Sequence, residues 1–324
     1  MATITIPHPV PPPTEDAERL KKAFQGWGTD EKAVISVLAH RNAAQRNAIR
    51  QAYQELYGED LIKRLEKELS GDFERAVYRW MHDPVEREAI IANVAVKKEI
   101  DYRVIVELAA ARSSNELLAI RQAYHARYKC SLEEDVAAHS HGDLRKLLVG
   151  LVTAYRYEGP EVDANLAKSE SKTLRTAIDG KAYNHEEVIR ILTTRSKAQL
   201  RATFNRYKDD YNNFITKASL SPFPQLKFDL KATADEFLSA LRAVIRSIYA
   251  PHNYYEKVLR LSVNKGTDED ALTRVIVTRA EFDLKNIQEE YFNRSSITLD
   301  QVVSKKTSGD YREFLLALLG TGKY

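Results

Sequence analysis

Cysteine and long apolar runs are nearly missing from this sequence, and glycine is scarce, with 12 residues in 324. A single cysteine, Cys130, stands in 324 residues. No intramolecular disulfide and no cysteine-rich zinc cluster can form, which fits a reducing compartment. No stretch approaches the ~18 apolar residues of a membrane-spanning helix. The opening MATITIPHPVPPP lacks the basic-then-apolar order of a secretory leader. Ala2 excludes the glycine-dependent myristoylation signal. The expected location is therefore cytoplasmic, with any membrane contact peripheral. Charge of one sign is missing too: 49 basic residues against 46 acidic ones leave a net charge of +3. No charge run announces nucleic acid, and no nucleic-acid partner is expected. No GxxxxGK[ST] phosphate loop occurs, and the terminal GTGKY has no helix to follow it. With no Ser/His/Asp or Cys/His arrangement in view, the chain reads as a binding protein and not as an enzyme.

What is present is helix-forming material. The chain is 44% hydrophobic and 29% charged, the mixture of a self-sufficient globular protein. Five prolines crowd the first thirteen residues, which reads as an extended, solvated arm. Pro84, Pro160 and Pro251 stand alone in Leu/Ala/Glu/Lys/Arg-rich surroundings and mark segment boundaries, because proline is tolerated only in a helix's first turn.

Self-comparison exposes a repeat. VISVLAHRNAAQRNAIRQAYQELYG from Val34 aligns with IVELAAARSSNELLAIRQAYHARYK from Ile105, and the template continues from Val188 and from Leu272. It places Arg41, Arg112, Arg195 and Arg279 in register, spaced 71, 83 and 84 residues apart, and likewise Tyr53, Tyr124, Tyr207 and Tyr291. Such recurrence in a repeat protein marks packing, so each arginine is expected to pair with an acid or cap helix carbonyls inside its unit. Apolar residues recur at helical spacing, as in Val34, Val37 and Leu38 or Phe73, Val77 and Trp80. Thr29 or Asp30 caps one helix start, and Ser131 with Glu134 forms a capping box. The expected organisation is an arm over 1–13 and repeats over 14–83, 84–159, 160–250 and 251–324, all-α and without a sheet.

The chemistry-bearing constellation opens the first repeat. Gly26-Trp27-Gly28-Thr29-Asp30 is followed, forty residues after Gly28, by Glu68 in KELSGDFERA. Calcium takes six to eight oxygens and accepts backbone carbonyls together with a bidentate carboxylate. Two glycines allow a loop to turn its carbonyls toward one point, and Glu68 can close the shell from a distant helix end. Positions left open would go to water or to a lipid phosphate oxygen, which makes the ion a bridge. Trp27, between the glycines, is expected to place an amphipathic ring at the headgroup boundary.

These residues, the fourfold repeat, GTDEDALTRVIVTRAE in the fourth unit and the SGDF and SGDY endings together resemble the annexin family, most closely its plant members. The resemblance covers nearly the whole chain after the proline-rich head. It implies four annexin-type repeats of about five helices each forming a curved disc, Ca²⁺ as the cofactor, and acidic phospholipid membranes as the partner. It also implies that the carbonyls of Phe24, Gly26 and Gly28 and the carboxylate of Glu68 hold the ion.

Carried to the other repeats, the same pattern fails. Glu99 and His139 stand at the second repeat's matching positions, and Ala182 stands opposite Gly28 in the third. The fourth repeat keeps Asn264-Lys265-Gly266-Thr267-Asp268 but carries Lys306 where the acid belongs. That makes a degenerate site of Lys265, Gly266 and Lys306, whose ammonium repels a divalent ion. One working loop implies a high calcium requirement or self-association on the membrane. Two other readings come with the resemblance. One is a helical-repeat scaffold for partners such as F-actin, through Ile189-Arg190-Ile191. The other is a weak peroxidase centred on His40, although one histidine supplies neither a haem pocket nor its acid–base partners. Cys130 has Lys129 beside it, a neighbour that favours a thiolate, but an ordinary surface or half-buried thiol is the expected reading.

Overall fold

The computed structural model describes residues 1–26, 28–97, 99–153, 155–216, 235–264 and 266–322. Among them run nineteen α-helices and no extended strand. The first repeat holds α1 (Pro13–Ala23), α2 (Glu31–Leu38), α3 (Ala43–Tyr57), α4 (Leu61–Glu68) and α5 (Gly71–Met81). The second holds α6 (Pro84–Val96), α7 (Tyr102–Ala111), α8 (Ser114–Tyr128), α9 (Leu132–Ala138) and α10 (Gly142–Val152). In the third are α11 (Ala164–Asp179), α12 (Glu186–Thr194), α13 (Lys197–Tyr211) and α14 (Glu236–Tyr249), and in the fourth α15 (Pro251–Ser262), α16 (Glu269–Arg279), α17 (Leu284–Ser295), α18 (Leu299–Lys306) and α19 (Gly309–Leu318).

Side chains write the helix starts. Asn42 with Gln45, Ser113 with Glu116 and Ser131 with Glu134 close reciprocal capping boxes on α3, α8 and α9. Asp30, Asp60 and Asp268 accept from the third amides of α2, α4 and α16. Each cap satisfies donors that a helix start leaves unpaired. Left-handed Gly58 ends α3, and Lys129, Asn212 and Ser296 do the same for α8, α13 and α17.

The helices pack into two units, residues 1–87 with 255–324, and residues 88–254. In the first, Trp80 of α5 is fully buried and donates its indole N–H to the Leu38 carbonyl at 2.7 Å. The Arg46 guanidinium lies 3.6 Å from the centre of the Trp80 ring and binds Glu281 at 2.9 Å, joining the first repeat to the fourth. Phe73 meets Phe314 edge-on at 5.8 Å. In the second unit α7 packs on α14, α10 on α12 and α11 on α13.

The recurring arginine and tyrosine are structural, as expected. Arg41 binds Asp16 of α1 through two nitrogens at 2.7 and 2.8 Å, and both side chains are 1% exposed. Arg112 pairs with Glu88 of α6, Arg195 with Glu170 of α11 at 2.7 Å, and Arg279 with Asp283 at 2.6 Å. Tyr53, Tyr124 and Tyr207 are buried, and each meets a tyrosine one helical turn later edge-on or tilted, with ring centres 4.9 Å apart. Burial pushes the Tyr53 hydroxyl up to about 12.

The N-terminal head departs from the expected solvated arm. The Thr3 amide donates to the Ala280 carbonyl at 2.9 Å and its hydroxyl to the Leu318 carbonyl at 2.6 Å, while the Lys285 amide donates to the Met1 carbonyl at 3.0 Å. The residues ahead of Pro7 keep their amides, and Thr3 among them supplies the polar groups that dock the head. The first helix then begins at Pro13, where a missing N–H is no loss.

Candidate metal centre

The loop between α1 and α2 is closed by the Asp30 amide, which donates to the Ala23 carbonyl at 2.9 Å. Gly26 and Gly28 have φ of +106° and +89°. A Cβ at either would meet nothing within 4 Å, so it is the backbone conformation, and not crowding, that calls for glycine. Asp30, two residues after Gly28, spends its carboxylate on the Ala33 amide at 3.0 Å and is committed to capping α2.

The last residue of α4, Glu68, arrives against this loop. The Thr29 hydroxyl donates to Glu68 Oε2 at 2.6 Å and lies 3.3 Å from the Glu68 carbonyl. Glu68 Oε1 pairs with Arg64 Nη2 at 2.6 Å, and that same nitrogen donates to the Phe24 carbonyl at 3.3 Å. The main-chain carbonyl of Phe24 and the carboxylate of Glu68, from separate segments of the chain, thus converge on one cationic nitrogen. Phe24, Gly26, Gly28 and Glu68 offer only oxygens, the donor set of a hard cation such as calcium. The guanidinium stands where a cation is wanted, and the residues fit the ion. Thr29 and Arg64 were not singled out from the sequence as site residues. The Glu68–Arg64 spacing of four on one helix is the signal that could have found the arginine.

The fourth repeat repeats the framework without the ligand. Asp268 closes its loop with an amide bond to the Ser262 carbonyl at 2.7 Å and caps α16, and Gly266 has φ of +137°. The Thr267 hydroxyl donates to the Lys306 carbonyl at 3.1 Å, the counterpart of Thr29 on Glu68. The side chain at that tether is an exposed ammonium. Lys306 instead lines a 330 Å³ cleft with Glu31, Glu68, Asp72, Glu269 and Asp310, where it is the one cation among the lining residues. Trp27 and Lys265 lie outside the described residues.

Other sequence candidates fall into local roles. In the second repeat Glu99 is exposed, and His139 Nδ1 sits 2.8 Å from the Asp135 carbonyl. His40 is fully buried, its Nδ1 2.9 Å from the Thr5 carbonyl and 3.0 Å from the Thr5 hydroxyl, and burial lowers its pKa. Ile191 is buried, and Arg190 binds Glu187 at 2.7 Å. Cys130 is a half-buried free thiol. Its thiol donates to Asp135 Oδ2 at 3.1 Å, and this bond, ahead of desolvation and the Asp135 and Glu134 charges, pushes its pKa up despite the neighbouring Lys129.

No helix among the described residues is long and apolar enough to cross a membrane. The family profile described as Annexin matches residues 15–80, 89–151, 169–218 and 254–318. Annexin-like protein RJ4 of Fragaria ananassa is 58% identical over 308 residues, 94% of this chain and 95% of its own. Among solved structures, chicken annexin V in complex with Zn²⁺ superposes with a TM-score of 0.88 at 33% identity, covering 99% of each chain. A calcium-bound annexin (Sm)1 superposes with a TM-score of 0.82 at 27% identity, covering 96% of this chain and 91% of that one. Four matched segments, nineteen helices and high-identity relatives from plants agree that the chain belongs to the annexin family.

Proposed function

We propose that this chain docks peripherally on acidic phospholipid membranes through one calcium site in its first repeat. The carbonyls of Phe24, Gly26 and Gly28 and the carboxylate of Glu68 would hold the ion, with water and lipid phosphate completing its shell. Membership of the annexin family supports calcium-dependent membrane binding in general, and one of the superposed structures is described as calcium-bound. The observation that carries the finer reading is the convergence of the Phe24 carbonyl and the Glu68 carboxylate on a single cationic nitrogen, beside two glycines of positive φ.

On this reading the chain works from the cytoplasm and moves to the membrane when calcium rises. The functional repeat boundaries are 14–83, 84–159, 160–250 and 251–324, and Trp27 is the headgroup contact. The first repeat carries docking alone, because Lys306 removes the acid of the fourth. Flotation on phosphatidylserine and phosphatidylcholine vesicles tests it. Binding should require both calcium and the acidic lipid and should reverse on adding a chelator. Chelator-resistant binding, or equal binding to neutral vesicles, would contradict the proposal.

A further inference from the structure

We propose that Arg64 is a resident competitor for the cation, latching the first-repeat site shut until calcium displaces it. This rests on the calcium reading above. One nitrogen of Arg64 touches two of the proposed ligands, the Glu68 carboxylate at 2.6 Å and the Phe24 carbonyl at 3.3 Å. With Thr29 on Glu68 Oε2 at 2.6 Å, both carboxylate oxygens are already taken. A calcium ion that binds the carboxylate through two oxygens must displace the guanidinium, because like charges so placed repel, whereas the Thr29 hydroxyl can stay on the second lone pair of Oε2.

The side chain has somewhere to go. Arg64 Nη1 is 3.8 Å from Glu59 Oε1, and Lys21 Nζ is 3.7 Å from Glu59 Oε2. A rotation about its flexible stem that trades Glu68 for Glu59 empties the ligand set and keeps the arginine paired. The second and fourth repeats have no counterpart to this device: the residue four before Lys306 is Val302, and four before His139 is Asp135. The physical consequence is a threshold. Calcium binding is weaker than the oxygens alone would give, and the loop stays ordered and satisfied when calcium is scarce.

Luminescence of Tb³⁺, excited through the protein's aromatic residues, measures the site on the full chain without lipid. Arg64→Gln should bind Tb³⁺ about five- to tenfold more tightly than wild type, the order expected for removing one adjacent positive charge and one partly exposed ion pair. Arg64→Lys, which keeps the charge, should stay within about twofold of wild type. Glu68→Gln should lose the first-loop signal. In chelator, amide hydrogen exchange across the loop joining α1 and α2 should quicken in Arg64→Gln, because the Phe24 carbonyl is no longer held.

Unchanged or weaker Tb³⁺ binding in Arg64→Gln, with Glu68→Gln still inactive, overturns the latch and leaves the calcium site standing. Equal tightening in Arg64→Lys also overturns it, since charge would then not be the cause. If Glu68→Gln binds as wild type does, both the site and its latch are wrong.

Discussion

On the proposed site assignment, Lys306→Glu should turn the fourth-repeat loop into a second calcium contact. The framework is in place: Gly266 has φ of +137°, Asp268 closes the loop, and Thr267 already holds the backbone of residue 306 at 3.1 Å. The substitution replaces a cation with the missing carboxylate. An ammonium held ~5 Å from a divalent ion in a water-like medium weakens binding by roughly tenfold. Two linked contacts can exceed either alone by ~10² to 10⁴. No glycine stands two before Gly266, so the restored loop offers fewer well-placed carbonyls and the gain falls at the low end. The calcium concentration for half-maximal pelleting with phosphatidylserine vesicles should drop about tenfold. Lys306→Gln, which removes the repulsion but supplies no ligand, should move it much less. The added carboxylate joins five others around the cleft, so the variant's thermal transition is recorded first. A midpoint that stays put in a folded Lys306→Glu protein would refute the claim that this lysine silences the fourth loop. If calcium-independent binding instead falls, Lys306 meets lipid phosphate directly.

Two further outcomes test the frame around the site. Asp16→Ala leaves the Arg41 guanidinium buried without its carboxylate, which should cost about 3–5 kcal/mol, read by calorimetry of the full chain. Asp16→Ala with Arg41→Met should recover most of that loss. The pKa of His40 is lowered on folding, chiefly by burial, so the unfolded chain binds the extra proton. Its contribution to stability is present above about pH 6.5 and lost as pH falls below that value. His40→Gln should flatten this part of the acid limb in denaturant titrations between pH 7 and 5, and an unchanged slope would show that His40 is not the group responsible.

The fold was legible because its signals are local and repeated. Capping residues, helical apolar spacing and the fourfold Arg and Tyr register each act within one repeat, and the structure uses them so, from Asn42 on α3 to Arg41 on Asp16. Long-range partners were not legible. Nothing near Thr3 announces that it will pair with Ala280 and Leu318, some 280 and 315 residues away in the chain. Arg64 has no sequence mark beyond standing a turn before a glutamate, and it is the arrival of the Phe24 carbonyl from forty residues earlier that brings its nitrogen to the proposed cation site. Cys130 shows only Lys129 beside it in the sequence, and its bond to Asp135, a turn into the following helix, was not legible there.

Co-sedimentation with phosphatidylserine vesicles across a calcium titration, run for wild type beside Glu68→Gln, tests the central claim most directly. Wild type should pellet only with calcium, and Glu68→Gln should fail to pellet at concentrations that saturate wild type. Equal pelleting of the two proteins would contradict the assignment of docking to the first repeat and move it to another surface of the chain.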